Sequence, residues 1–395
     1  MTAKRDFKTY IFNSTALILS ILVFSHCKKD NSNPPTEKQL STLGALPDDL
    51  KLAATGITLS SYYLVNALPA GYVKDGSRDY TSYVQAAVTK YSNIVFPAFP
   101  IQVNDKGIII GSNKVITFEA GSQIRLKPTS LGTYNILKIA AATNVTLYNP
   151  VIIGDRATHT GTTGEHGMGI AIWGSSNVTI YNPKVSYCWG DGIYLGQAGN
   201  SINCKNITIQ GAWLKKNRRS GITVIGVDGL LMDNLYSGYN DGTSPYSGMN
   251  FEPNNSTSEF KNVRINNPRT EFNKNGIQIG VRRMLATTNK YLDITVVNHT
   301  DIGSTRYPFK VACSPTVDIT AKMYGLIKIA NPSWRKTATE TNVYLWLSSN
   351  QVNLKTAITS PEIMNLSGTM LSWTDTYNLL IKAARGGVLT VTQTL

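Results

Sequence analysis

Two carboxylates and two cations are the residues of this chain whose types and spacing could do chemistry together. Glu252 lies in the phrase GMNFEPN, and Asp191 lies in WGDG. A pair of carboxylates can act as acid and base across a glycosidic bond. Arg219 in NRRSG and Lys274 in FNKNG could instead hold and neutralise a carboxylate group of a substrate. Lys274 could also act as a base, so both kinds of chemistry stay open.

These residues belong to a repeated phrase, and the repeat predicts how they are positioned. The phrase occurs five times, as GIAIW (169–173), GIYLG (192–196), GITVI (221–225), GMNFE (248–252) and GIQIG (276–280). Each copy alternates apolar and variable positions, which is typical of a strand with one buried face. A second strand phrase, such as NVTIYNP (177–183), recurs between the copies. Stacked coils of this kind predict a parallel β-helix, because one coil cannot bury its apolar face alone.

The repeat assigns each side chain to a column that runs along the stack. We predict two inward columns, formed by Ile170, Ile172, Ile193, Leu195, Ile222, Val224, Met249, Phe251, Ile277 and Ile279. Outward columns are formed by Ala171, Tyr194, Thr223, Asn250 and Gln278 and by Trp173, Gly196, Ile225, Glu252 and Gly280. Strands in such a stack are about 4.8 Å apart. The outward columns should therefore form a continuous exterior surface, and a site is expected there.

Glu252 and Asp191 each have a structural as well as a chemical interpretation. Glu252 has glycine one coil on (Gly280) and two coils back (Gly196) in its column, which suggests open space beside it, but it could be an ordinary solvated glutamate. Asp191 precedes its strand in a turn, where aspartate often bonds to nearby backbone. Its neighbours in the turn column, Met168 and Ser220, supply no second carboxylate.

Cations and aromatic rings surround these carboxylates in the sequence. Arg219 and Lys274 share one position two coils apart, about 10 Å, with Tyr246 between them. Cations spaced along aromatic rings suit an acidic sugar chain, although a solvated basic edge would give the same pattern. His166 in GEHGMG could be an acid or base. The candidate binding residues are Trp173, Tyr194, Arg218, Tyr246, Asn250, Gln278, Arg282 and His166.

The Asn-x-Thr phrases are interpreted as strand starts rather than glycosylation sites. Asn144, Asn177 and Asn206 occupy the same place in successive coils. We therefore expect each asparagine to bond to an asparagine or to turn backbone in the neighbouring coil.

The N-terminus indicates export. Lys4, Arg5 and Lys8 precede a mostly apolar run of 14 residues, 11–24, which is shorter than the roughly 20 residues of a spanning helix. The run ends at Cys27 in a segment that resembles a lipoprotein signal, although His26 departs from the small residue usual before the lipidated cysteine. We expect a signal peptide at 1–26, a tether at 27–45 and one domain at 46–395, with the protein lipid-anchored in the bacterial cell envelope. An ordinary secretory signal is the alternative.

Composition narrows the expected partners. The formal charge is +14, which favours anionic partners, and an acidic polysaccharide suits an exported protein better than nucleic acid. A generally basic surface near acidic lipid is the other interpretation. The four cysteines and four histidines lack the spacing of a zinc site. The residues therefore do not predict a metal site, although binding of Ca²⁺ is left open. We expect the protein to be a monomer.

Two further segments connect the repeat to a known superfamily. In VKDGSRDYTSYVQAAVTKY (73–91), Asp79 or Ser77 could cap a helix that covers the open end of the first coil. Together with the segments GDRATHTGTTGEHGMG, CWGDGIYLG, NRRSGITVIG and SGMNFEPNN, it resembles bacterial right-handed parallel β-helix proteins of the pectate-lyase-like superfamily. The resemblance implies an all-β solenoid with a short N-terminal capping helix. In that family an acidic residue is expected where this chain has Asn250.

The resemblance also implies carbohydrate chemistry, since many members are polysaccharide lyases, hydrolases or epimerases. Three classes of function follow. A lyase or epimerase would remove the C5 proton of a uronate while cations neutralise its carboxylate. A glycoside hydrolase would use Glu252 and Asp191. A surface protein would bind a glycan through the same face without turnover.

Replacing Cys27 with alanine should release the protein from the membrane fraction, because a lipidated cysteine would be its anchor. Fractionation of cells expressing either form measures this. Membrane association that survives Cys27→Ala would contradict the lipoprotein assignment.

Overall fold

The computed structural model describes residues 60–313, 320–335, 343–347, 353–385 and 388–393. The predicted signal peptide, the tether and Cys27 lie outside these residues. The same is true of the first part of the predicted domain, up to residue 59. Among the described helices, none is long and apolar enough to cross a membrane.

The chain winds through three parallel sheets, A, B and C, in that order in every coil. Sheet A consists of β1 (Tyr62–Tyr63), β2 (Asn93–Phe96), β5 (Lys114–Phe118), β8 (Thr143–Tyr148), β11 (Ser176–Tyr181), β14 (Cys204–Gln210), β17 (Val227–Asp233), β20 (Phe260–Asn266), β23 (Lys290–Val297), β26 (Met323–Ala330), β29 (Leu354–Thr359) and β32 (Val388–Thr392). Sheet B consists of β3 (Pro100–Val103), β6 (Gln123–Leu126), β9 (Val151–Ile153), β12 (Lys184–Ser186), β15 (Trp213–Lys215), β18 (Tyr236–Gly238), β21 (Arg269–Glu271), β24 (Thr300–Ile302), β27 (Ser333–Arg335) and β30 (Glu362–Met364). Sheet C consists of β4 (Ile108–Ile110), β7 (Thr133–Ala140), β10 (His166–Trp173), β13 (Ile193–Gly196), β16 (Ile222–Val224), β19 (Ser247–Phe251), β22 (Asn275–Gly280), β25 (Tyr307–Cys313), β28 (Val343–Leu347) and β31 (Ala384–Arg385). The predicted parallel β-helix is confirmed.

The five repeated phrases form neighbouring strands of sheet C in the predicted register. Ile170 pairs with Ile193, Ile193 with Ile222, and Ile222 with Met249. Every residue predicted to face inward is fully buried. The register is strongly determined because a slip of one residue would turn this whole apolar set outward.

The outward columns of sheet C are more covered than the sequence suggested. Ala171, Thr223 and Asn250 have no exposed surface, and Tyr194 is nearly buried. Thr223 accepts a hydrogen bond from Arg219 of the turn before its strand, and Asn250 is hydrogen-bonded to the neighbouring Glu252 and Gln278. The exterior face is therefore a packed layer with a limited opening instead of a continuous open surface.

The asparagine prediction is confirmed near the starts of strands β8, β11 and β14 of sheet A. Asn177 Nδ2 donates to Asn144 Oδ1 at 3.2 Å, and Asn206 Nδ2 donates to Asn177 Oδ1 at 3.2 Å. These residues have φ values of 58° (Asn144), 53° (Asn177) and 51° (Asn206). Asparagine tolerates this left-handed conformation better than most residues, and its amide also links the coils.

A second, buried asparagine ladder lies at the turn from sheet B to sheet C. The backbone N–H of Cys188 donates to Asn217 Oδ1, that of Asn217 to Asn240 Oδ1, and that of Asn240 to Asn273 Oδ1, each at 3.1 Å. All of these side chains are buried. The ladder satisfies backbone donors that the interior would otherwise leave without partners.

This interior packing explains why each repeated phrase begins with glycine. A Cβ atom on Gly192 would lie 2.7 Å from Asn217 Nδ2, and one on Gly221 would lie 1.9 Å from Ser237 Oγ. At all five glycines a Cβ atom would also lie within 2.7 Å of a backbone carbonyl oxygen of the next coil, so any larger residue would collide there.

Helices lie near both ends of the described chain. Helix α1 (Thr81–Lys90) buries Val84, Ala87 and Val88 against the first coils, as the predicted cap should. Asp79 Oδ1 accepts hydrogen bonds from the backbone and hydroxyl of Thr81. The sequence analysis missed helix α2 (Trp373–Ala383), whose N-terminus is capped by Ser372.

Substituting alanine at Gly221 should destabilise the fold by about 1–3 kcal/mol, the usual cost of overpacking. Gly280→Ala is the matched control, because its new methyl group would meet only the carbonyl of Phe251 at 3.8 Å. Urea unfolding of the two variants measures the difference. Equal midpoints would contradict the glycine packing described here.

Candidate functional site

A buried arginine joins two carboxylates at the centre of sheet C. Arg219, in the turn before β16, donates from Nη1 to Asp191 Oδ2 at 3.0 Å and from Nη2 to Glu252 Oε2 at 2.8 Å. The side chain of Asp191 is fully buried and that of Arg219 is 9% exposed, whereas that of Glu252 is 35% exposed. Of the two carboxylates, Glu252 is therefore the one that solvent or a ligand can reach.

Burial and charge set the protonation of this cluster. Burial raises the pKa of Asp191 above its ordinary value, although the charge of Arg219 pulls in the opposite direction. Burial also disfavours the charged form of Arg219, but Asp191 and Glu252 outweigh it and hold the pKa of Arg219 above its ordinary value. The guanidinium is consequently a fixed cation that orients Glu252.

An amide chain continues from Glu252 along the outward column. Asn250 Nδ2 donates to Glu252 Oε2 at 2.9 Å, and Gln278 Nε2 donates to Asn250 Oδ1 at 3.2 Å. Lys310 Nζ then donates to Gln278 Oε1 at 3.4 Å. Each donor in this series points toward Glu252, so the orientations of the two amides are mutually consistent. The hydrogen bonds thus connect the amine of Lys310 to the carboxylate of Glu252.

Three cations lie at the far end of this chain. Lys274 and Arg306 occupy the position of Arg219 in the following coils, with the N–H of Arg306 donating to the carbonyl of Lys274 at 2.8 Å. Lys274 Nζ lies 5.0 Å from the ring centroid of Tyr246. Burial, together with the charges of Arg306 and Lys274, lowers the pKa of Lys310 below its ordinary value. The three cations are close enough for their charges to influence one another.

Glu165 adds another carboxylate to the edge of Arg219. Its Oε2 lies 3.9 Å from Arg219 Nε, and its Oε1 lies 3.9 Å from His166 Nε2. Glu165 is 40% exposed and His166 is 52% exposed. Arg219 Nε is buried and makes no hydrogen bond within the described residues. A ligand at this edge would thus meet two accessible glutamates, Glu165 and Glu252.

The loop that carries Glu165 is anchored by a separate aromatic cluster. The Arg218 guanidinium lies 3.8 Å from the ring centroid of Trp189, and His159 stacks on Trp189 at 3.8 Å. His159 Nδ1 lies 2.7 Å from Asp155 Oδ2, and the Tyr134 hydroxyl donates to Asp155 Oδ1 at 2.5 Å. Arg218 is committed to this cluster, and it supports the loop over sheet C.

The column of Glu252 contains one glycine two coils before it, Gly196, and one in the next coil, Gly280, and their surroundings differ. The space above Gly196 is filled, because a Cβ atom there would lie 2.5 Å from Trp173 Cε3. Trp173 packs on Tyr194 with ring centroids 5.0 Å apart, and burial raises the pKa of Tyr194 to about 12. Of these two glycines, Gly280 is the one that leaves open space beside Glu252.

Arg282 stands in a short 3₁₀ turn, Arg282–Met284, that follows β22 and is exposed. No group of three or more His, Cys, Asp or Glu side chains in the described residues could hold a metal ion. Bound Ca²⁺ remains an untested expectation.

The structure brings most of the predicted site residues to one face. Asp191, Arg219, Asn250, Glu252 and Gln278 are linked by hydrogen bonds, directly or through a neighbour. Tyr246 and Lys274 lie beside them, whereas Trp173 and Tyr194 fill the closed end and Arg218 supports the loop.

Sequence reasoning missed Lys310, Arg306 and Glu165. The signal for the first two was present, because RYPFKVA (306–312) continues the alternation and aligns Lys310 with Gln278. Glu165 directly precedes His166 in the same motif. Asp155 and His159 carry no comparable pattern, since they lie in a long loop.

A family model described as right handed beta helix region matches residues 92–234 and 168–298, together more than half of the chain. The chain belongs to the right-handed β-helix family. The resemblance found in the sequence is therefore confirmed at the level of the fold.

Among curated relatives of this β-helix protein, YclG of Bacillus subtilis (strain 168) is 28% identical over 221 residues. The match covers 48% of this chain but only 38% of that protein.

Two solved structures show the same architecture. The mannuronan C-5 epimerase AlgE4 A-module of Azotobacter vinelandii superposes with a TM-score of 0.51 at 13% identity, covering 85% of this chain and 98% of that one. The polygalacturonase of Erwinia carotovora ssp. carotovora gives a TM-score of 0.51 at 12% identity, covering 82% and 94%. At these identities the likeness concerns the fold alone.

Arg219→Ala should destabilise the β-helix by about 3 kcal/mol or more, because it leaves the buried Asp191 without its partner. Lys274→Ala is the matched control: Lys274 occupies the equivalent position two coils on but is exposed, so its loss should change stability by at most about 0.5 kcal/mol. Thermal or urea unfolding checks both variants. An unchanged midpoint for Arg219→Ala would refute the buried ion pair.

Proposed function

We propose that this β-helix protein acts on an acidic polysaccharide by removing the C5 proton of a uronate, as a lyase or an epimerase does. The observation that carries the proposal is the group of three cations, Lys274, Arg306 and Lys310, of which Lys310 is joined by the amide chain to Glu252. A substrate carboxylate placed among cations is neutralised, which acidifies the adjacent C–H bond.

Lys310 is the proposed base. Its amine lies on the outward column of sheet C, next to the position of Gln278 and one strand beyond it. Its lowered pKa increases the fraction of neutral amine at a given pH, and a neutral amine can accept the C5 proton. Lys274 and Arg306 would hold the substrate carboxylate, a role in which guanidinium and ammonium groups are effective.

The sequence suggests that Arg219 holds the carboxylate of a substrate, but in this proposal Arg219 has a different role. Both ends of its guanidinium are already occupied by Asp191 and Glu252. Arg219 therefore positions Glu252, whose exposed carboxylate can accept hydrogen bonds from sugar hydroxyls. Asp191 stays behind Arg219 and contacts no ligand.

The two reactions of this class share their first step. The amine takes the C5 proton, and the electrons of that bond are delocalised into the neutralised carboxyl group. In elimination a C4–C5 double bond then forms as the C4–O bond breaks, and the leaving oxygen takes up a proton from the Lys310 ammonium or from water. In epimerisation C5 receives a proton from water on its other face, and the Lys310 ammonium returns its proton to solvent.

A hydrolase is a second candidate, favoured by one specific observation. Glu165 and Glu252 are both accessible and both lie near Arg219, at its Nε and Nη2 atoms respectively. Two such carboxylates could serve as the acid and base of glycoside hydrolysis. This pair replaces the pair of Glu252 and Asp191 that the sequence suggested, because Asp191 is fully buried.

Cellular location is also part of the proposal. Export, with a lipid anchor at Cys27 in the bacterial cell envelope, would place the enzyme where extracellular polysaccharide is available. The N-terminal sequence pattern is what supports this location.

Incubating the purified protein with alginate, polygalacturonate and glycosaminoglycans should yield an unsaturated, ultraviolet-absorbing product or an exchanged C5 proton. Lys310→Met should lower the rate about 100-fold or more, as expected for loss of a base. Lys328→Met removes the same charge from an exposed position on sheet A and should leave the rate unchanged. Turnover retained in Lys310→Met would refute the assignment of the base.

The pH profile gives an independent check on Lys310. Activity should rise as pH increases through its pKa, which burial and the neighbouring cations lower. Arg306→Gln removes one cation, so the pKa of Lys310 should rise and the acidic limb of kcat/KM should move to higher pH.

New reducing ends without ultraviolet absorbance, lost in Glu252→Gln and Glu165→Gln, would identify a hydrolase instead.

A further inference from the structure

The column that contains Glu252 continues through three more coils toward the C-terminus. Gly280 follows it in the next strand, Gly280 pairs with Ala312, and Ala312 pairs with Trp346. Two of the smallest residues, Gly280 and Ala312, thus lie between the carboxylate of Glu252 and Trp346. We call this set of four residues, Glu252, Gly280, Ala312 and Trp346, the trough.

The two tryptophans of this column are in opposite environments. Trp173 lies on the N-terminal side of Glu252, and its ring fills the space above Gly196. Trp346 lies on the C-terminal side and is 47% exposed. Above Gly280 the nearest atom to a Cβ would be the carbonyl oxygen of Phe251 at 3.8 Å. The column is filled on one side of Glu252 and open on the other.

Two loops also close the N-terminal side. Gln197 Nε2 donates to Thr257 Oγ1 at 3.0 Å, and Asn255 Nδ2 donates to the carbonyl of Asn200 at 2.9 Å. These bonds tie the loop after β13 to the loop after β19. A ligand at Glu252 would therefore extend toward Trp346 and away from Trp173.

The open side carries the groups that an acidic sugar chain needs. Gln278 and Lys310 form the adjacent outward column and border the trough along its length. A ligand lying over Gly280 and Ala312 would have polar and cationic groups on this border. An exposed tryptophan at the end of such a path offers a flat apolar face for a sugar ring.

The length of the trough sets the size of its ligand. Glu252 and Trp346 are separated by three strand spacings, about 14 Å. One sugar ring does not span this distance, whereas a short chain does.

We propose that Trp346 is a saccharide-stacking subsite and that the trough binds an acidic oligosaccharide that runs from Glu252 toward the C-terminal coils. The proposal deepens the proposed function and rests on it for the acidity of the sugar. It adds the direction of the chain, its minimum length and a binding residue remote from the reacting group.

Binding of defined alginate and polygalacturonate oligosaccharides, measured by calorimetry, tests the inference separately from turnover. Trp346→Ala should weaken binding of hexasaccharides about tenfold and leave disaccharide binding unchanged, because only the longer chain reaches the indole. Tyr291→Ala is the matched control, since Tyr291 is 58% exposed on sheet A. Gly280→Phe would place a ring in the open space of the trough and should also weaken hexasaccharide binding.

Unchanged hexasaccharide affinity in Trp346→Ala would overturn the subsite, as would equal losses for both lengths. Bound chains that are hydrolysed, or that show neither an unsaturated product nor exchange of the C5 proton, would overturn the proposed reaction while leaving the subsite in place. Failure of every acidic chain to bind would overturn both.

Discussion

The vertical register of sheet C is the constraint on which the rest of the structure depends. Parallel strands about 4.8 Å apart place equivalent residues directly above one another, so each inward column has one buried environment along the stack. Isoleucine and its apolar equivalents fill the inward columns, while glycine begins the strands because the next coil's backbone and buried side chains leave no room for a Cβ. The same register delivers Asn250, Gln278 and Lys310 in sequence to the outward face. Folding and site assembly therefore follow from one geometric rule.

Burial gives different properties to charged residues that the sequence alone does not distinguish. Asp191 and Glu252 are both carboxylates bound to Arg219, yet one is sealed inside and the other is partly open to solvent. Taking a charge out of water is costly unless it is paired, so Arg219 is needed to keep Asp191 in place. The result is a rigid support behind the accessible carboxylate of Glu252. Arg219 and Lys274 diverge for the same reason, since they share a position but not an environment.

The outward face also has a direction. Carboxylates, with Arg219 between them, occupy its middle coils, and the cations Lys274, Arg306 and Lys310 follow in the next ones. Rings and tied loops close the N-terminal side, whereas small residues keep the C-terminal side open as far as Trp346. An acidic chain lying along this face would meet hydrogen-bond acceptors first and cations next. Such an arrangement favours one orientation of a polymer that itself has direction.

The sequence by itself determined the β-helix, its register, the inward columns and the asparagine ladder, because a period of two repeated over many coils has few other physical solutions. It also placed Glu252, Asn250, Gln278 and Arg219 on one face. Only the tertiary structure decided which of these are accessible, since exposure depends on loops such as the one anchored by Asp155 and His159, which have no periodic pattern. It likewise decided that Arg219 is engaged by two carboxylates and that Lys310 joins the site. Contacts between side chains of different coils arise from packing, and no single stretch of sequence contains them.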